Sequence, residues 1–162
     1  MIVTLLAAAL SLAGSHLSAQ NLKDEARLFP ADIAEKRAVI VLTFSKSASD
    51  QATEWTRKLR QNERKLAASI YQIAILEDVP ALFRSLVISG IKKGVPQDLH
   101  HNFWIGTSSS KEWQEKTGST SLNEAQVFVL EAQSQITWRF QGAFSESALQ
   151  GLFMVLATRP NL

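Results

Sequence analysis

There is no cysteine in the chain, and that absence excludes a disulfide framework, a thiolate nucleophile, a Cys-ligated metal and any dithiol redox cycle. Histidine is scarce too: His16, His100 and His101 are the whole complement. An excess of charge of one sign is also missing. The 17 Lys plus Arg against 15 Asp plus Glu leave a formal net charge of +2, too little to imply a nucleic-acid partner, which normally shows as a dense basic stripe. No internal repeat or low-complexity tract is visible. What is there is 162 residues, 46% hydrophobic and 20% charged. That is enough apolar surface to offset the ordering entropy of one globular domain, in a chain cramped for two.

The first 19 residues, MIVTLLAAALSLAGSHLSA, carry no charged side chain and end in the small residues Ser18 and Ala19. The apolar run from Ile2 to Ala13 is shorter than the ~20 residues a membrane-spanning helix needs, so the segment reads as a secretory leader cut after Ala19. The rival is an uncleaved N-terminal anchor. The expected organisation is a signal peptide over 1–19, an extension over 20–37 and one domain over 38–162. The chain is then exported, to the periplasm or cell exterior.

Residues 38–44, AVIVLTF, form a continuous apolar run of strand length, the pattern of a strand covered on both faces. A helix over 51–67 follows, with Trp55, Leu59 and Leu66 at near-helical spacing. Residues 69–76 read as a second strand. The next helix is expected to take Asp78 as its cap, Pro80 in its first turn and Gly94 as its end, with Val79, Leu82, Phe83, Leu86, Val87 and Ile91 in one stripe packed on a sheet. Residues 102–105 make a short strand, and Ser109 with Glu112 is a capping box for a helix around Trp113 that stops at Gly118. Residues 127–130 and the alternating Ile136, Trp138 and Phe140 form a hairpin across a polar turn. A last helix over 146–158 ends before Pro160. The order β-α-β-α-β-α-β-β-α predicts an α/β fold, a mixed sheet with helices on both faces.

This order, over residues 38–158, resembles the thioredoxin fold. In that fold the first central strand runs into Cys-x-x-Cys at the start of a helix, and a cis-proline precedes the closing hairpin. Here Ser49 and Ala52 stand at the cysteine positions and Ala125 leads into QVFVL, so all three redox hallmarks are replaced. Within the superfamily, ILEDVPALFRSLVISGIKKGVPQDLHHNFWI, VFVLEAQSQITWRF and GAFSESAL are similar to the mitochondrial assembly factor family that matures the membrane-embedded proton-channel subunit of ATP synthase. The resemblance implies a non-catalytic, assembly-assisting role with a protein client in or near a membrane. Those proteins act on the matrix side, whereas the leader here points to the far side of a bacterial membrane.

Read for chemistry, the chain offers little. Ser49 has no local base, so helix capping by Ser49 or Asp50 is the expectation. Glu77 and Asp78 suit a helix start better than a carboxylate pair. Adjacent His100 and His101 point to opposite faces of a strand and do not grip one metal. No metal and no cofactor is implied. Arg57, Arg60 and Arg64 lie at i, i+3 and i+7 in the densest basic stretch, a face suited to anionic headgroups or an acidic partner. His101, Phe103 and Trp104, in the aromatic stretch after Pro96, are the candidate client surface, the alternative being that Phe103 and Trp104 anchor a short strand in the core. The function expected is client binding without catalysis. Its rivals are a cysteine-free enzyme descended from peroxiredoxins or thiol reductases, and a periplasmic carrier that holds a small ligand in the empty redox cleft.

Overall fold

The computed structural model describes residues 10–158. Three short strands come first: β1 (Leu10–Ser11), β2 (Leu17–Asn21) and β3 (Ala26–Phe29). β4 (Arg37–Thr43), α1 (Ser49–Gln61), α2 (Glu63–Leu66), β5 (Ser69–Ile75) and α3 (Ala81–Gly94) follow, then β6 (Phe103–Gly106), α4 (Ser110–Thr117), β7 (Gln126–Glu131), β8 (Gln135–Gln141) and α5 (Glu146–Ala157). One mixed sheet of eight strands runs in the order β1-β8-β7-β4-β5-β6-β2-β3. From β4 onward the expected succession is present, with α2 as a short addition after α1.

The apolar run 38–44 lies where its composition puts it. β4 pairs in parallel with β5 and antiparallel with β7, and both of its faces are buried. Side chains alternate across a strand, so Ala38, Ile40 and Leu42 join Tyr71, Trp104 and Trp113 on one face. Val39 and Val41 join Trp55 and Leu59 of α1 and Leu149 and Leu152 of α5 on the other. Local signals fix the small helices. The Ser109 hydroxyl accepts the Glu112 backbone N–H at 3.3 Å, and Gly118 ends α4 with φ of 71°, a left-handed conformation that glycine adopts without a Cβ clash. Ser145 caps α5 by accepting from the Ala148 N–H. The stop at Pro160 lies outside the described residues.

Four expectations change. The folded domain begins no later than Leu10, not at Ala38. β2 lies inside the sheet between β6 and β3, and Leu12 and Leu17 are fully buried. A cut after Ala19 would therefore pass through β2. Residues 1–9 of the expected leader lie outside the described residues.

The apolar stripe of α3 splits. Ile88 and Ile91, with Val95 beyond the helix end, pack on Ala74, Phe103 and Ile105, while Leu82, Phe83 and Leu86 are 83%, 52% and 71% exposed. At 100° per residue the two sets fall on opposite sides of the helix. Pro80, not Asp78, precedes the first turn of α3, and no side chain caps it. Finally, the alternation of Ile136, Trp138 and Phe140 is broken by a bulge opposite Val129 and Leu130. Ile136 faces the first core cluster, and Trp138 and Phe140 face the second.

Candidate functional site

β4 delivers the chain to the sheet's C-terminal end, where a tight turn over Lys46–Ala48 leads into α1. Three contacts stitch this junction to the loop before β7. The Ser45 hydroxyl donates to the Leu122 carbonyl at 2.8 Å, Ser47 donates to Asn123 Oδ1 at 2.9 Å, and the Ala125 N–H donates to Gln51 Oε1 at 2.9 Å. The positions matching the redox motif thus meet through Gln51, a residue the sequence reading passed over. Ala52 and Ala125 are both fully buried.

Ser49 is not the cap. It is the first helical residue, Ala48 is the N-cap, and no side chain caps this helix start. The Ser49 hydroxyl donates to the Lys46 carbonyl at 2.6 Å, so its proton is held by backbone and not by a base. Asp50 stands in the first turn, where its charge suits the helix dipole. Among the described residues, no group of three or more His, Asp or Glu comes close enough to hold a metal ion.

Arg57, Arg60 and Arg64 do not share one face. α1 ends at Gln61, the backbone breaks from helix at Asn62, and Arg64 sits in α2. Arg57 is held by Glu54 through two guanidinium contacts of 2.8 and 3.2 Å. Arg60 pairs with Glu63 at 3.5 Å and is half-buried, and that burial pulls its guanidinium below the ordinary arginine value.

The aromatic stretch after Pro96 turns inward. Phe103 and Trp104 are buried. Trp104 Nε1 donates to the His101 carbonyl at 2.9 Å, and its ring meets Phe29 and Tyr71 edge-on. Tyr71 donates its hydroxyl to Glu35 at 2.7 Å, and burial, followed by that carboxylate, raises the phenol above its ordinary value. His101 is exposed, whereas His100 contacts the Val95 carbonyl through its ring. Phe103 and Trp104 are therefore core residues and offer no client surface. Burial against strands distant in sequence overrides the surface reading.

Among the described residues, the large apolar side chains that face solvent are Leu82, Phe83 and Leu86, grouped on α3, and Met154 alone on α5. Beside the α3 group a groove of about 650 Å³ runs between α1 and α3. Ser49 and Thr53 line the α1 side, Val87, Gly90 and Ile91 the α3 side, and Ala74 and Phe103 lie beneath.

Comparison with known proteins gives a likeness of shape alone. No protein-family model and no curated protein matches the chain in sequence. Among solved structures, a member of the Sco family of cytochrome c oxidase assembly proteins is 9% identical, with a TM-score of 0.59 over 93% of each chain. A SCO1/SenC family lipoprotein from Bacillus anthracis is 14% identical, with a TM-score of 0.58 over 94% of this chain and 99% of that one. A thio-disulfide isomerase from Thermus thermophilus is 18% identical, with a TM-score of 0.52 over 90% and 94%. The chain has the thioredoxin-like fold, and it has that fold without a cysteine.

Proposed function

We propose that the protein is an exported, non-catalytic assembly factor that binds a membrane-associated protein client through α3. The exposure of Leu82, Phe83 and Leu86 carries this reading. Large apolar side chains grouped on one exposed helix face mark an interaction surface, and α3 is apolar on its core-facing side as well, a pattern that calls for cover on both. Chemistry at the motif positions is the weaker alternative. Ser49 has its proton on a backbone carbonyl, and Ala52 and Ala125 carry no functional group. The fragments similar to the ATP synthase assembly factor family include α3 itself, and two of the structural neighbours are described as Sco-family proteins, one of them from a family of cytochrome c oxidase assembly proteins. Both support an assembly role. The client surface moves from Phe103 and Trp104 to the outer face of α3, and the occupant that fits it is an apolar segment of a membrane protein.

The test is a photo-crosslinker at Ser85, beside the patch, in the full chain within its native membranes, with and without Leu82→Glu plus Leu86→Glu. The double variant is expected to stay folded, because exposed substitutions usually shift stability within about 0.5 kcal/mol, and to lose a crosslink to a membrane-embedded protein. The same crosslink at undiminished yield in the double variant overturns the reading.

A further inference from the structure

We infer that the outer edge of β8, from Thr137 to Phe140, is the docking site of a segment of this same chain, Leu6 to Ala9, which lies outside the described residues. This inference stands apart from the client reading, which concerns the outer face of α3.

The edge is long for what covers it. β8 pairs with β7 from one end to the other, but on its opposite side β1 meets only Gln135 and Ile136, and the Leu12 N–H donates to the Ser134 carbonyl at 2.8 Å. Among the described residues, nothing bonds to the outward backbone groups of Thr137–Phe140, and the run ends at Gln141, whose side chain is engaged by Thr120 and Glu124. An open edge presents unmet N–H and C=O groups to any other strand, so proteins guard it or cover it. The far edge of the sheet is guarded: β3 has four residues, carries Arg27 and runs into Pro30. β8 has no such guard. Its one charged side chain, Arg139, turns back to donate to the Thr117 carbonyl at 3.2 Å. Trp138 and Phe140 are half-buried and stack along the strand with ring centroids 6.4 Å apart.

Direction, reach and composition select the occupant. β1 runs antiparallel to β8, with Leu10 against Ile136 and Ser11 against Gln135, so the chain before Leu10 arrives alongside Thr137 and the residues after it. Continuing that register sets Leu6 to Ala9 beside Thr137–Phe140, to within the one residue that the bulge at Thr137 adds. Nine residues precede Leu10 in the sequence, and paired strands advance at the same rise per residue, so the reach is ample. MIVTLLAAA holds no proline, which would withhold an N–H from the ladder, and no charge, which would be desolvated against Trp138 and Phe140. Size matches as well. A Cβ built at Gly118 meets the Arg139 guanidinium and, at 3.2 Å, Leu10 Cδ1. The end of α4 therefore lies close over this edge and leaves room for small residues, of which Ala7, Ala8 and Ala9 are three in succession. Alanine forms strands weakly on its own, but pairing context outweighs that preference. A second copy paired here about Arg139 would set one guanidinium opposite another, and like charges directly opposite destabilise a sheet.

Hydrogen exchange on the isotope-labelled full chain reads the edge directly. The amides of Thr137–Phe140 that do not bond to β7 are expected to exchange at least tenfold more slowly in the parent than in Ala8→Pro, with the amides of β4 and β5 unchanged. Because the chain has no cysteine, Arg139→Cys combined in turn with Leu6→Cys, Ala7→Cys and Ala8→Cys gives a second reading that needs no proline variant. At least one pair is expected to close within a single chain under mild oxidation. It should close at least tenfold faster than Arg139→Cys with Ile2→Cys, because a few residues of extra tether change closure little. Three results overturn the proposal: edge amides that exchange no more slowly in the parent than in Ala8→Pro, no pair that closes faster than the Ile2→Cys control, or disulfides that form only between chains, which would assign the edge to a second copy.

Discussion

Trp104 shows how a single residue changes meaning between sequence and structure. Beside His101 and Phe103 in a stretch with a turn at its start, it reads either as a client-facing aromatic or as the anchor of a short strand in the core. In the fold it is 1% exposed, its indole N–H is used by the His101 carbonyl, and two aromatic rings meet it edge-on. Trp104→Ala removes that packing and leaves a cavity, so it is expected to cost about 3 to 5 kcal/mol of stability, measured by equilibrium denaturation. A loss below about 1 kcal/mol, the ordinary result for an exposed site, returns Trp104 to the surface. The motif positions were legible in the same partial way. Ser49, Ala52 and Ala125 could be found by the order of elements. Their meeting through Gln51 could not, because that hydrogen bond joins residues 74 apart in the chain. Nor could the Arg60–Glu63 pair, which spans the end of α1, whereas the Glu54–Arg57 pair, three residues apart inside the helix, follows from local spacing.

At the scale of elements, what local chemistry specifies was legible. The buried run of β4, the capping box and glycine stop of α4 and the strands of the closing hairpin follow from residues within a turn of one another. What depends on distant pairing was not. β2, LSAQN, alternates like a half-buried strand, yet its small residues after an apolar run also match the end of a leader. α3 is apolar on nearly every side, so periodicity did not tell which face would be covered.

Glu77 adds a link between elements that no local pattern shows. Read as a cap for the helix that follows it, it instead reaches across to α4, where its carboxylate accepts the Ser110 backbone N–H at 2.5 Å. That bond holds the carboxyl below its ordinary value of 4.5. A carboxyl whose folded value is depressed contributes stability above its unfolded value and loses it as the pH falls through the folded one. Glu77→Gln is therefore expected to lower the denaturation midpoint at pH 7 and to match the parent once both are measured well below pH 4.5. A gap between the two proteins that persists unchanged into acid removes Glu77 as the cause.

For the molecule as a whole, the question is whether the sheet can do without its first strands. β2 is flanked on both sides, by β3 and by β6, and Leu12 and Leu17 reach the same core cluster as Phe29, Trp104 and Trp113. Removing residues 1–19 deletes both leucines, all of β1 and three of the five residues of β2, and with them three of the four residue pairs that hold β3. Each buried leucine alone is worth about 2 to 5 kcal/mol, and the net stability of a domain is only about 5 to 15 kcal/mol. A chain starting at Gln20 is accordingly expected to be unfolded or loosely packed at room temperature, with lost near-ultraviolet dichroism and collapsed amide dispersion, while a chain starting at Leu10 keeps both. In cells that export the protein, mass spectrometry of the mature form should recover peptides covering 11–19. A mature protein that begins at Gln20 and melts cooperatively with native dispersion would show that the N-terminal strands are dispensable, and with them the account of the core around Leu17.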